Sequence, residues 1–446
     1  MSLLRISVVD RADPTRILWH GIGRGAVSGP TETGLIEPGV RGAHIRRNAW
    51  LFTAFLMVSG GCGDDSKDTG STTFVGPVLK VETDTFTSAE VCGACHQAIH
   101  ACWQQSMHAR AFSNGVFQAA YRAGTAVYQS ERTRMCLNCH APTVHVTQDY
   151  AAESPITREG VTCDFCHSLR SVDLGAPQQK MDLDVGQTKY GPLKHAQSPA
   201  HRVRNSGLHS SSELCAVCHE YRNDHGVAIL ETYSEWKTSP YAEEGTHCQA
   251  CHMVPVQGRI VSLGLTAAAR EGVNLHDISG SHDLEQVRKA ATIEVLSVER
   301  LGQSNVLVQI SVNNVGAGHC LPTGLPSHRV VLEVNLMDRG RVVAQQRIEF
   351  AKVLLNDRMI PIAFEEEMFL EARSIKIDTR LKPKEKRTVS VTFRDIQSPE
   401  GQIGASLFYE YSTRTMKLRE DKEVSEPTVM KILIASQKRA VPGTGR

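Results

Sequence analysis

The pattern Cys-X-X-Cys-His occurs five times within 161 residues of this chain. The copies are Cys92-Gly93-Ala94-Cys95-His96, Cys136-Leu137-Asn138-Cys139-His140, Cys163-Asp164-Phe165-Cys166-His167, Cys215-Ala216-Val217-Cys218-His219 and Cys248-Gln249-Ala250-Cys251-His252. With 13 Cys and 19 His in 446 residues, about 0.016 copies are expected by chance. Each copy is the attachment signature of a c-type haem: two thiols form thioethers and the adjacent His ligates the iron. Five such groups rule out an ordinary side-chain core for this stretch. A redox Cys pair has no reason to carry a following His five times. Zinc sites need two ligand pairs per ion and no fixed Cys-His dipeptide, and a disulfide framework does not impose this repeat. The expected cofactors are therefore five c-type haems. Their thioether residues are Cys92, Cys95, Cys136, Cys139, Cys163, Cys166, Cys215, Cys218, Cys248 and Cys251. The proximal iron ligands are His96, His140, His167, His219 and His252.

Haem attachment of this kind implies maturation outside the cytoplasm, so an export signal is expected. Arg46 and Arg47 precede an apolar run from Ala49 to Val58, followed by Ser59, Gly60, Gly61 and Cys62. This reads as a signal peptide over 41–62, with an apolar run too short to span a bilayer. Cys62 is a lipidation candidate, although the apolar lipobox residue falls at Val58 and Ser59 takes its usual place. The polar stretch 63–79 suits a flexible tether. Residues 1–40 are Gly- and Arg-rich and stand ahead of the signal. They read as a mis-assigned upstream extension, with Val40 as an alternative initiator. The expected location is the periplasmic face or the outer membrane, extending to the cell surface.

The net charge of +1 implies no nucleic-acid partner. No internal segment is apolar enough for a transmembrane helix, and the length suits two domains. The first, 80–285, holds all five motifs, with first cysteines 44, 27, 52 and 33 residues apart. That spacing leaves room for short helices and loops. Thr87-Ser88-Ala89-Glu90 and Ser210-Ser211-Ser212-Glu213 read as capping boxes that start the helices of the first and fourth motifs. The second domain, 286–437, reads as strands near 292–298, 306–312, 329–336, 342–350, 374–377, 387–393, 406–411 and 429–435. That number predicts an antiparallel β-sandwich, followed by a tail at 438–446. The fold class expected is α+β: a short-helix and loop multihaem domain, then a sandwich-like domain.

Several stretches strengthen this reading. They are Trp103-Gln104-Gln105-Ser106-Met107-His108-Ala109, Cys136–Pro142, Gly160–His167, Thr232–Tyr241, His276-Asp277-Ile278-Ser279-Gly280-Ser281-His282 and Gly318-His319-Cys320-Leu321-Pro322-Thr323-Gly324. On these residues the chain resembles the cytochrome c-554-type multihaem family and its larger relatives with an appended β-domain. The resemblance covers roughly 85–435 and implies closely stacked haems and electron transfer, without fixing a substrate.

Two imidazoles on one iron leave no position for substrate, whereas an open position allows chemistry there. The distal candidates are His108, in the family-like Trp103–Ala109 stretch, then His201, His276, His282 and His319. His195 and His209 compete with His201. His319 would bring a ligand from the β-domain to the haem domain. His100 and His247 sit too close to their own motifs to reach the opposite haem face. Trp103 and Trp236 are expected to pack on porphyrin edges. Cys102 and Cys320 lie outside the motifs, and a disulfide between them is open from sequence.

The reading that follows favours an electron carrier over an enzyme, working in respiratory or extracellular electron transfer at the cell envelope, with oxidoreductase activity left open should one haem have an open position. Its expected partners are a membrane quinol-oxidising system or other cytochromes, and the membrane itself through the lipid anchor. The alternative is an oxidoreductase acting on small nitrogen or sulfur compounds at one open haem, with Lys237 and Tyr241 as assisting residues. All five motifs end in His, which weakens it. A haem-stacked filament is a minor alternative.

Overall fold

A CXXCH sequence makes chemical sense on a helix, because residues i, i+3 and i+4 share one face. The computed structural model obeys this. It describes residues 81–82, 84–175, 180–261, 270–396, 401–411 and 430–443. The expected signal, Cys62 and the tether lie outside these residues. The five motifs lie on or at the ends of helices Ala89–Gly93, Gly115–His140, Cys163–Ser168, Glu213–His219 and Cys248–His252. Among the described residues no helix is long and apolar enough to cross a membrane.

Two local expectations need correction. The first motif helix is capped by Ser88, whose side chain accepts from Glu90 N–H, and not by Thr87. The Thr87 backbone N–H instead donates to Asp164, within the third motif, at 2.6 Å. The fourth motif helix starts after Ser212 with no side-chain cap. Ser212 Oγ accepts from Cys248 N–H and lies 3.2 Å from His247 Nδ1, so it ties the fourth motif to the fifth.

The expectation of short helices alone also fails at Gly115–His140. Gln129 interrupts this segment with φ 70° and ψ 157°, and the chain doubles back there. Thr125 Oγ1 and Thr133 Oγ1 are 3.0 Å apart, where a straight helix would separate them by roughly 12 Å. Phe117 and His140 stack with centroids 3.7 Å apart. The segment is therefore a tight helical hairpin that closes over the second motif. Four small strand pairs complete the haem region. Leu169–Asp173, Glu220–Arg222 and Pro255–Gly258 each follow a motif helix and pair antiparallel, and Thr188–Gly191 pairs parallel with Arg202–Asn205.

The C-terminal region is strand-rich, as the alternation predicts. Lys386–Phe393, Asn305–Asn314 and Ala291–Leu301 form one antiparallel sheet. Arg341–Phe350, His328–Asp338, Gln402–Tyr411 and Met430–Ala440 form a second, in that order. Val306, Val308, Ile310 and Val312 point inward from the first sheet. Val330, Leu332, Val334 and Leu336, with Ile403, Ala405 and Leu407, point inward from the second. The two faces share one core, so the fold class is α+β with an antiparallel sandwich. Ser374–Asp378 does not join either sheet. It pairs with Lys352–Leu355, and the helix Glu365–Glu371 lies between them in the chain.

That hairpin matters because it packs on the haem region. Leu354, Ile362, Met368 and Ala372 bury themselves with Val227 and Ile229. Both regions belong to one compact unit. Leu332 is fully buried at the sandwich centre. Leu332→Ala is expected to lower stability by about 2–5 kcal/mol, read as an earlier midpoint in chemical denaturation.

Candidate haem sites

All five motifs line one cavity of about 3280 Å³, several times the roughly 300–1,000 Å³ that holds one drug-sized ligand. The motifs meet in pairs. The thiols of Cys92 and Cys163 are neighbours, as are those of Cys139 and Cys218 and of Cys215 and Cys248. The first motif thus abuts the third, and the fourth abuts both the second and the fifth. His209 Nε2 donates to Cys166 O at 2.9 Å and lies just before the fourth motif helix, which joins the third motif to the fourth.

Four of the motif histidines are oriented by backbone carbonyls. His96 Nδ1–H donates to Ile260 O at 2.8 Å, His140 to Ala111 O at 2.8 Å, His167 to Tyr190 O at 2.6 Å and His252 to Ser279 O at 2.5 Å. A carbonyl can only accept, so the proton sits on Nδ1 and Nε2 keeps its lone pair for a metal. No such partner of His219 is found among the described residues. His219 faces the cavity yet is enclosed by chain, and this desolvation pushes it down to about 4. Burial likewise holds His108 at about 4 and His167 at about 3. These rings are neutral at pH 7, the form that binds iron.

The structure brings four remote histidines opposite motif histidines. The ring centroids are 6.4 Å apart for His96 and His201, 6.3 Å for His219 and His108, 5.9 Å for His167 and His276, and 6.2 Å for His252 and His319. Two imidazoles bound at about 2.0 Å on opposite faces of one metal ion would have centroids roughly 6.4 Å apart. The residues present therefore fit haem irons between them. Three of the remote rings repeat the carbonyl device: His201 to Arg202 O, His276 to Asn274 O and His319 to Cys320 O. His201 precedes the fourth motif in sequence but faces the first, and the fourth faces His108.

His282 stands apart from these four. It is partly exposed yet lines the same cavity, stacks on Tyr411 at 4.7 Å and has no ring contact with a motif histidine among the described residues. His195 is exposed. His209 lies 5.4 Å from His167, but its Nε2 is taken by Cys166 O. His145 Nε2 is held by Asn138 O. Cys320 is a free thiol, so the Cys102–Cys320 bridge is not formed. Trp103 and Trp236 line the cavity and donate their indole N–H to Val161 O and Thr246 O. Tyr241 donates to Val315 O, and Lys237 lies over the Tyr233 ring. The carbonyls that orient the histidines carry no residue signature, and nothing in the sequence could have revealed them. Phe117 was equally hidden, because its contact depends on the hairpin.

Residues 91–168, which hold the first three motifs, match the family described as cytochrome c554 and c-prime. Among solved structures the chain is similar to a penta-heme cytochrome c552 from Thermochromatium tepidum. The two are 21% identical with a TM-score of 0.63, over 82% of this chain and 100% of that one. Weaker overlaps occur with a β-glucosidase from Kluyveromyces marxianus and a CARDB domain from Pyrococcus furiosus. The first is 11% identical over 34% of this chain and 14% of that one, TM-score 0.15. The second is 14% identical over 32% and 90%, TM-score 0.13. Neither carries weight at such scores. A search of the curated proteins finds no match. Fold and motifs together define a multihaem c-type cytochrome. Its first three motifs lie in a segment of the cytochrome c554 type.

Gly160 sets the seat of His108. Its φ is +73°, and a Cβ there would meet His108 O at 2.6 Å. Gly160→Ala is expected to displace His108 and add one high-spin ferric signal to the electron paramagnetic resonance (EPR) spectrum of the haem-loaded protein.

Proposed function

We propose that this protein carries electrons along five covalently bound haems, in respiratory or extracellular electron transfer at the cell envelope. The observation that supports this most is the set of four opposed imidazole pairs. Each pair would hold one haem iron between two imidazoles, which would leave no place for a substrate there. In this reading His96, His140, His167, His219 and His252 are the proximal ligands, and His201, His276, His108 and His319 are the distal ligands on the first, third, fourth and fifth motifs. The haems, when bound, supply one-electron chemistry. The chain's residues fix their axial ligands, burial and spacing, which set the potentials. The abutting motifs support a continuous path from the first through the third to the fourth, branching to the second and fifth.

Export and the anchor at Cys62 remain part of the proposal, carried by the sequence pattern 41–62. They would hold the protein at a membrane, between a quinol-oxidising system or another cytochrome and an acceptor.

One observation favours a second activity at a single position. His140 has Phe117 stacked on its ring and no opposed imidazole among the described residues. The second motif would then hold an iron with one open position, fit for a small nitrogen or sulfur compound.

Two measurements test these readings. Intact mass of the mature protein should show five haems and a lipidated Cys62. The EPR spectrum of the oxidised protein should show four low-spin haems and one high-spin haem, and His108→Ala should add a second high-spin signal. Two or more high-spin haems in the unaltered protein would sink the assignment of four pairs. If the high-spin signal is unmoved by small nitrogen and sulfur oxyanions, the second reading fails and electron carriage stands alone.

A further inference from the structure

The histidine that faces the fifth motif comes from the β-region. His319 lies on a loop of the β-region, between strands Asn305–Asn314 and His328–Asp338. Its partner His252 belongs to the haem region. The pair therefore depends on how this loop is fastened across the junction.

The fastening centres on Glu235. This residue lies on the helix Thr232–Lys237, between the fourth and fifth motifs. Its neighbour Trp236 donates to Thr246 O, two residues before Cys248, so the helix is fixed to the fifth motif. One Glu235 oxygen accepts from Cys320 N–H at 3.1 Å and from Thr323 Oγ1–H at 2.6 Å. Cys320 directly follows His319 in the loop, and Thr323 lies four residues on. The other oxygen accepts from Arg380. Arg380 also grips Asp378 with two nitrogens, and Lys352 Nζ donates to Ala228 O, Ile229 O and Glu231. The Glu235, Arg380 and Lys352 side chains are 8%, 6% and 1% exposed. Buried charges of this kind persist only when paired and hydrogen-bonded. The loop's other end is held by Asn314 Nδ2, which donates to His319 O and Leu381 O.

We propose that Glu235 is a positioning residue that seats His319 opposite His252, so that a carboxylate of the haem region sets the axial ligation of the fifth-motif haem. This rests on the reading that His252 and His319 bracket one iron. The carboxylate acts in two ways. Its hydrogen bonds fix the loop at Cys320 and Thr323, and its negative charge, near His319, would favour the oxidised state of a haem held there.

The test compares haem-loaded Glu235→Gln, Glu235→Ala, His319→Ala and Lys352→Met with the unaltered protein, by EPR and by redox titration of the haem absorption. Arg380 keeps its grip on Asp378 in both Glu235 variants. Glu235→Ala should lose one low-spin signal and gain one high-spin signal, matching His319→Ala. Glu235→Gln keeps an acceptor and should remain low-spin, with one haem shifted to a higher midpoint potential. Lys352→Met disturbs the same junction without touching the loop, and should leave the spin states unchanged. The proposal is overturned if both Glu235 variants leave spin states and potentials as they were, or if Lys352→Met gives the same high-spin signal. If His319→Ala itself leaves the low-spin count unchanged, the underlying ligand reading has failed, and the role of Glu235 falls with it.

Discussion

The hydrogen bond from a histidine Nδ1–H to a backbone carbonyl is the interaction on which this structure turns. It fixes the tautomer, frees Nε2 and sets the ring plane in one step. The carbonyls come from Ala111, Tyr190, Ile260 and Ser279 for the motif histidines. Each belongs to a segment remote from the motif it serves. The irregular chain between motifs is therefore not filler. It supplies the acceptors that aim the imidazoles, and much of its path follows from that task.

The same segments do double duty. His108 opposes His219 while Ala111, three residues on, holds His140. His276 opposes His167 while Ser279 holds His252. One short stretch thus spans two neighbouring sites in each case, so a displacement at one is felt at the other. Gly160 shows how tight this is, since no side chain fits between its Cα and the His108 carbonyl. The β-region joins the scheme through the loop that carries His319 and through the apolar contacts of Leu354 and Met368 with Val227 and Ile229. It packs as part of the haem architecture, with its own sandwich core giving the loop a rigid base.

Much of this was legible in the sequence, and the parts that were not share a cause. The strands of the sandwich could be read because alternation reports one buried face, as in Val306, Val308, Ile310 and Val312. The motif helices could be read because CXXCH needs a helical face. The helical hairpin at Gln129 was missed because its reversal carries no Gly or Pro signal. The strand Lys352–Leu355 was missed because it is short and buried by contacts with the haem region. His282 looked like His276 in sequence, each three positions from Ser279, yet only His276 has its ring opposed to a motif histidine.

What the sequence determined alone is the chemistry: thioether cysteines and a neighbouring His are covalent, local and fixed by spacing. It also determined the order of a haem-bearing region and a strand-rich one, because periodicity is local too. Tertiary structure decided which remote histidine faces which motif. His201 precedes the fourth motif and faces the first, and His319 crosses from the sandwich to the fifth. Such pairings depend on distances between segments up to 111 residues apart, as with His108 and His219. Nothing in the local pattern encodes them, because an imidazole is chemically the same wherever it lies, and only the fold gives it a direction.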